Sequence, residues 1–200
     1  MRTMKEPLIE QPGLPPAQGE EEHLSLALAN SAIALTGGQT VDLLGTPAQA
    51  NHWLTERGLA PVDVDMREMC ATQLRSLREQ IRSLFASRAE GLPALPAAVR
   101  AVNDAMTRVP TAPLLQWDDK SGPYRASPHP TTAIVDHALA TLAADASDLL
   151  TSPDADRLTA CGSVPCNRYL LRYGRRHWCS TRCGDRARAA RAYARRTASP

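Results

Sequence analysis

Two hundred residues are enough for one medium-sized domain and a small second module. The net charge of +2 conceals a split: Arg157–Arg196 holds eleven arginines against one acidic residue, Asp185, while the rest of the chain carries a formal −8. That polarity suits one part to a polyanion and the other not, and the absence of any run of eighteen apolar residues excludes a membrane span.

In chain order, residues 1–22 are proline-rich, carry the run Glu20–Glu22 and are expected to form a disordered tail. Leu24, Leu26, Leu28, Ile33 and Leu35 predict a helix over His23–Thr36, stopped by Gly37-Gly38. Val41–Leu44 predicts a short strand. Thr46-Pro47 reads as an N-cap followed by proline at the first helical position, with Trp53 and Leu54 inward and an end at Gly58. Asp65–Arg88 is the clearest helix, its stripe being Cys70, Leu74, Leu77, Ile81, Leu84 and Phe85; Cys70 is expected there as a buried small hydrophobe. Pro96–Arg108 predicts a helix with Val99, Val102 and Met106 on one face. Leu114–Trp117 and Pro123–Ala126 flank a polar turn and predict a hairpin. Thr131–Leu150 returns to helix, burying Ile134, Ala138, Leu142, Ala146 and Leu149, and Ser152-Pro153-Asp154 marks a boundary. The fold class expected is mainly α: a multihelical domain over 23–152 that folds alone and includes a small β-hairpin, then a module at 153–200.

That module contains Cys161 and Cys166, then, after twelve residues, Cys179 and Cys183. No secretory signal is visible, which points to the cytoplasm, where clustered cysteines are metal ligands rather than disulfides. Four cysteines close a tetrahedron round one Zn2+ and leave no position for water, so the site is structural. His177 is the only nearby competitor as a ligand. The segment Arg168–Trp178 predicts a hairpin turning at Gly174, and Gly184–Arg196 predicts a basic helix. On it Arg188, Arg191 and Arg195 share a stripe, while Ala187, Ala190 and Ala194 form a small-residue face expected to pack on the metal core. Arg196 extends the basic end. Arg168, Arg172, Arg175 and Arg176 are candidate flanking phosphate contacts, and Arg186 lies off the stripe as a structural residue.

Trp178-Cys179-Ser180 and Cys183-Gly184-Asp185-Arg186 resemble the signature of the CGNR zinc finger family, with Asp185 where the family has Asn. Upstream, Leu26–Ser31, Gly37–Leu44, Thr46-Pro47 and Leu149–Leu158 resemble its partner domain, ABATE. The resemblance covers residues 23–196 and implies a bacterial transcriptional regulator with a DNA-binding finger. On this reading the partners are duplex DNA and an effector of unknown chemistry sensed by the N-terminal domain, unless that domain serves assembly. A lone finger is small, so tight binding calls for a homodimer or a second contact surface. The rival reading is an interaction module whose basic finger docks an acidic protein surface. A Gly-rich phosphate loop, a two-His metal motif and a nucleophile–base pair are all lacking, so no enzyme is expected.

Overall fold

The computed structural model describes residues 15–62, 64, 66–109, 114–126 and 133–197. Its core is built on α3 (Glu68–Glu90), which packs against α1 (Leu24–Ala29), α2 (Pro47–Glu56), α4 (Pro96–Thr107) and α5 (Ile134–Thr151). Leu74, Leu77, Ile81, Leu84 and Phe85 of α3 are buried, as their spacing predicts, and Gly91 ends the helix in the left-handed conformation. Cys70 is only half-buried, at the edge of the core. α2 opens on a capping box: Gln49 N–H donates to Thr46 Oγ1, and Thr46 N–H donates to the Gln49 side chain. Trp53 and Leu54 are buried beneath it. In α4 the inward residues are Ala98, Val102 and Ala105, and Val99 is 40% exposed, so the buried face is narrower than expected. In α5, Ala138, Leu142, Ala146 and Leu149 are buried, and Ile134 is partly so.

The helix expected over His23–Thr36 is split. It ends at Asn30, and Ala32–Ala34 forms β1, paired antiparallel with β2 (Thr40–Asp42) in the register Ile33↔Val41. Gly37 and Gly38, both with positive φ, make the turn that lets the β-branched Ile33 and Val41 pair rather than continue a helix. The predicted hairpin is present as β3 (Leu114–Asp118) and β4 (Gly122–Ala126), with Asp118 accepting from the Lys120 and Ser121 N–H groups in the turn.

After a 3-10 turn over Pro153–Arg157, β5 (Leu158–Ala160) pairs antiparallel with β6 (Tyr169–Leu171). Leu158, Tyr169 and Leu171 belong to the same apolar core as the helices, so these strands complete the N-terminal body. Two asparagines join the parts. Asn30 Nδ2 donates to Tyr169 O (2.8 Å), and Tyr169 N–H donates to Asn30 Oδ1 (2.7 Å). Asn167 mirrors this against β1, accepting from Ala34 N–H (2.9 Å) and donating to Ala32 O (3.1 Å). Each side-chain amide thus stands in for a strand backbone and satisfies polar groups that burial would otherwise leave unpaired. Arg82 adds hydrogen bonds to Ala29 O and Asn167 O, with its guanidinium 5.3 Å from the centre of the Tyr169 ring.

The open end of the β1–β2 hairpin is held to α3 by a part-buried ion pair. Arg78 is 5% exposed and binds Asp42 through both nitrogens, at 2.6 and 2.8 Å. Burial acts to raise the Asp42 pKa, but the Arg78 hydrogen bond, the Leu44 N–H and the charges of Arg78 and Arg75 outweigh it and hold the carboxyl low. The depressed pKa makes this contribution to stability complete above the ordinary carboxylate range and lost as pH falls through the folded value. Asp42→Asn should therefore lower the melting temperature at neutral pH and flatten the acid limb of the stability profile. Its cost is bounded by the ~3–5 kcal/mol of a stranded buried charge, and the 29% exposure of Asp42 reduces it. Thermal melts of both chains between pH 3 and pH 7 (roughly the carboxylate titration range) check this.

Candidate metal centre and nucleic-acid interface

Cys161 follows β5 and is fixed by its N–H donating to Arg168 O (2.8 Å); Cys166 closes a turn by donating to Ser163 O (2.8 Å). Cys179 precedes α6 (Thr181–Thr197), and Cys183 lies in its first turn, where its N–H donates to Ser180 Oγ (3.2 Å). Ser180 thus caps the helix and sets the spacing of the second pair. All four Sγ atoms lie within 4.8 Å of one another, and Cys179 Sγ is 3.6 Å from both Cys166 and Cys183. A tetrahedron of thiolates at zinc's ~2.3 Å bond length has edges of about 3.8 Å, so the donor set fits zinc in number, chemistry and size. Cys161, Cys179 and Cys183 are buried, and Cys166 is half-buried.

The electrostatics of the cluster suit a cation. Hydrogen bonds from Cys166 and then Cys179 pull the Cys161 thiol down to about 2, and the bond to Cys161 pushes Cys166 up to about 11 and Cys179 upward as well. Four thiols this close cannot all ionise until a cation balances them. A zinc–tetrathiolate keeps a formal −2. Arg186 Nη2, 3.3 Å from Cys183 Sγ, brings a compensating charge, and Arg168 Nη1, 3.9 Å from Cys179 Sγ, brings one that it shares with Glu20. Arg186 also binds the hydroxyl and carbonyl oxygens of Ser163, tying α6 to the first cysteine turn. Gly184 admits the indole of Trp178: a Cβ there would lie 3.3 Å from the ring and from Arg188.

Several expectations change here. Arg168, expected as a flanking phosphate contact, is instead buried at 3% exposure, pairs with Glu20 at 2.7 Å and binds Pro15 O. The expected tail is ordered in its described part. Ala17 is buried against the cysteine cluster, and Leu171 N–H donates to Gln18 O, so residues 15–22 strap the finger; residues 1–14 lie outside the described residues. Gly19 sits against Leu171, where a Cβ would come within 2.7 Å of its side chain. The strand pair expected before the basic helix is present, but it lies upstream of the expected turn at Gly174: β6 takes β5 as its partner, and the charged Arg172–His177 stretch remains loop. The alanine face of α6 does not pack on the metal core. Only Cys183 and Gly184 of this helix are buried, and Ala187 and Ala190 line an open groove with Val164 and Trp178. His177 is exposed and outside the thiol cluster.

Arg188, Arg191, Arg195 and Arg196 are exposed along α6, and Arg172, Arg175 and Arg176 are exposed on the loop after β6. The guanidiniums of Arg188 and Arg191 lie 5.8 and 5.5 Å from the centre of the Trp178 ring. Asp185 pairs with Arg188 at 2.5 Å. The seat that Trp178 provides, and the roles of Asn30, Asn167 and Glu20, are not visible in the sequence pattern. Trp178 adjoins a ligand, which is a usable signal; the asparagines carry none.

A closed four-cysteine cluster spanning a strand end and the first turn of a basic helix defines a structural zinc finger. Residues 157–196 match the family model of the CGNR zinc finger, and residues 22–153 match that of ABATE, described as "Putative stress-induced transcription regulator". The chain belongs to the ABATE family and ends in a CGNR zinc finger whose four cysteines can hold one zinc ion. Among curated proteins none matches it. Neither family description is that of an enzyme. No helix among the described residues is long and apolar enough to cross a membrane.

Proposed function

We propose that this chain is a cytoplasmic, non-catalytic regulator that grips duplex DNA through α6. The observation that carries the reading is the projecting helix: beyond Gly184 none of its residues is buried, and its exposed face presents Arg188, Arg191, Arg195 and Arg196. Guanidinium forks match phosphate oxygens and guanine edges. The face of Trp178 attracts the guanidiniums of two of them, Arg188 and Arg191. Arg172, Arg175 and Arg176 supply flanking phosphate contacts from the adjoining loop. Asp185 competes with phosphate for Arg188 and tempers that position.

The helical domain senses an effector or mediates assembly. A cavity of about 240 Å³ between β1 and the cysteine cluster, lined by Ile33, Leu35, Gln39, Arg182 and Arg186, offers a small effector a seat that touches both parts. In the rival reading α6 docks an acidic protein. Docking of α6 on the acidic body of its own chain is disfavoured, since among the described residues α6 makes no extensive contact with any other element.

Arginine-by-arginine replacement tests the DNA reading. For phosphate contacts, each of Arg188→Ala, Arg191→Ala and Arg195→Ala should shrink the slope of log affinity against log salt by about 0.9. A residue that reads guanine should instead lose about 1–3 kcal/mol at one base position. Binding unchanged in the triple variant would transfer the role to protein docking.

A further inference from the structure

The β3–β4 hairpin is an apolar arm with no described partner. Leu115 is 71% exposed and Trp117 72%, with Leu114 and Tyr124 about half exposed. Among the described residues the arm's extensive contacts are only between its own two strands. A lone two-stranded hairpin is marginal in water, and an exposed apolar edge invites pairing. β4 carries Pro123, which interrupts its row of N–H donors, whereas β3 keeps every N–H and offers the free edge.

We propose that β3 is a homodimerisation strand that pairs antiparallel with β3 of a second copy. The sequence of the strand carries the choice of occupant. With Gln116 on a two-fold axis, Leu115 of each chain faces Trp117 of the other, and Asp118 faces Leu114. Leu115 and Trp117 share one face with Pro123 and Arg125, so the pairing sets the two most exposed apolar side chains of β3 against each other as aliphatic–aromatic cross-strand pairs that shield one another from water. No like charges meet. Over 114–126 the arm holds Asp118, Asp119, Lys120 and Arg125 and is neutral, in a chain otherwise divided between strongly acidic and strongly basic parts. A strongly acidic or strongly basic partner gains nothing from this neutral patch, whereas a second copy supplies Trp117 opposite Leu115 twice over, once on each side of the axis. The dimer would present two fingers, which deepens the DNA-binding reading without depending on it.

Sedimentation without DNA tests this independently of what the finger binds. The zinc-loaded full chain should sediment at twice 21.6 kDa at micromolar concentration. Trp117→Lys and Leu115→Glu, each placing a charge in the proposed pair, should return the mass to the monomer, with zinc content and helical circular dichroism unchanged. Both side chains are exposed in the single chain, so the variants fold. A wild-type chain that stays monomeric, or a Trp117→Lys chain that remains dimeric, overturns the proposal.

Discussion

Cys183→Ser is expected to abolish zinc binding and unfold the finger. Structural zinc in small modules contributes an apparent ~10–16 kcal/mol at neutral pH, which matches or exceeds the whole stability of a typical domain, about 5–15 kcal/mol. Three thiols leave the tetrahedron open. Cys183 also anchors the first turn of α6, so losing the ion frees the helix that bears the arginines. The effect should spread, because the strands of the finger share the core of the body. Elemental analysis should find about one zinc per wild-type chain and none in the variant, and the variant should melt at a lower temperature. Retention should also fall with acidity, since thiolates must be deprotonated to bind. Full zinc occupancy in the variant would refute the four-ligand assignment.

A chain restricted to residues 23–152 should fold poorly. The helices cover one another, which is why their spacing predicts an independent domain. The structure shows what that pattern omits. Removing Leu158, Tyr169 and Leu171 takes three side chains from the core. At about 1.5–3 kcal/mol for each buried side chain, the loss approaches the total stability of a small domain. It also strands Asn30 without the Tyr169 backbone and Arg82 without Asn167. We expect a broad, low-temperature melt by circular dichroism, restored when the chain is extended through 197. A sharp melt at the temperature of the full chain would establish the body as autonomous.

What the sequence reveals depends on how local the cause is. The long helices are legible because Leu74, Leu77, Ile81 and Phe85 repeat at helical spacing, and the start of α2 because Thr46, Pro47 and Gln49 form a cap within four residues. The thiol cluster is legible because metal chemistry restricts both residue type and spacing. The errors arise where a partner is remote. Ile33 reads as helix until β2 folds back on it, and Leu171 reads as part of a local hairpin until β5 claims its strand. Arg168 looks like its exposed neighbours, but Glu20, 148 residues earlier, draws it inside. Charge counts cannot separate an arginine that neutralises thiolates from one that meets phosphate; burial can.

On the proposed reading α6 is a DNA-gripping helix on a zinc-built base. The most direct measurement is the affinity of the zinc-loaded full chain for duplex DNA across a salt series. Contacts from Arg188, Arg191, Arg195 and Arg196 alone predict a slope of log affinity against log salt near −3.6, that is ~0.9 for each phosphate neutralised, and steeper with Arg172, Arg175 and Arg176. A folded, zinc-loaded chain whose DNA binding is undetectable or insensitive to salt would contradict the account.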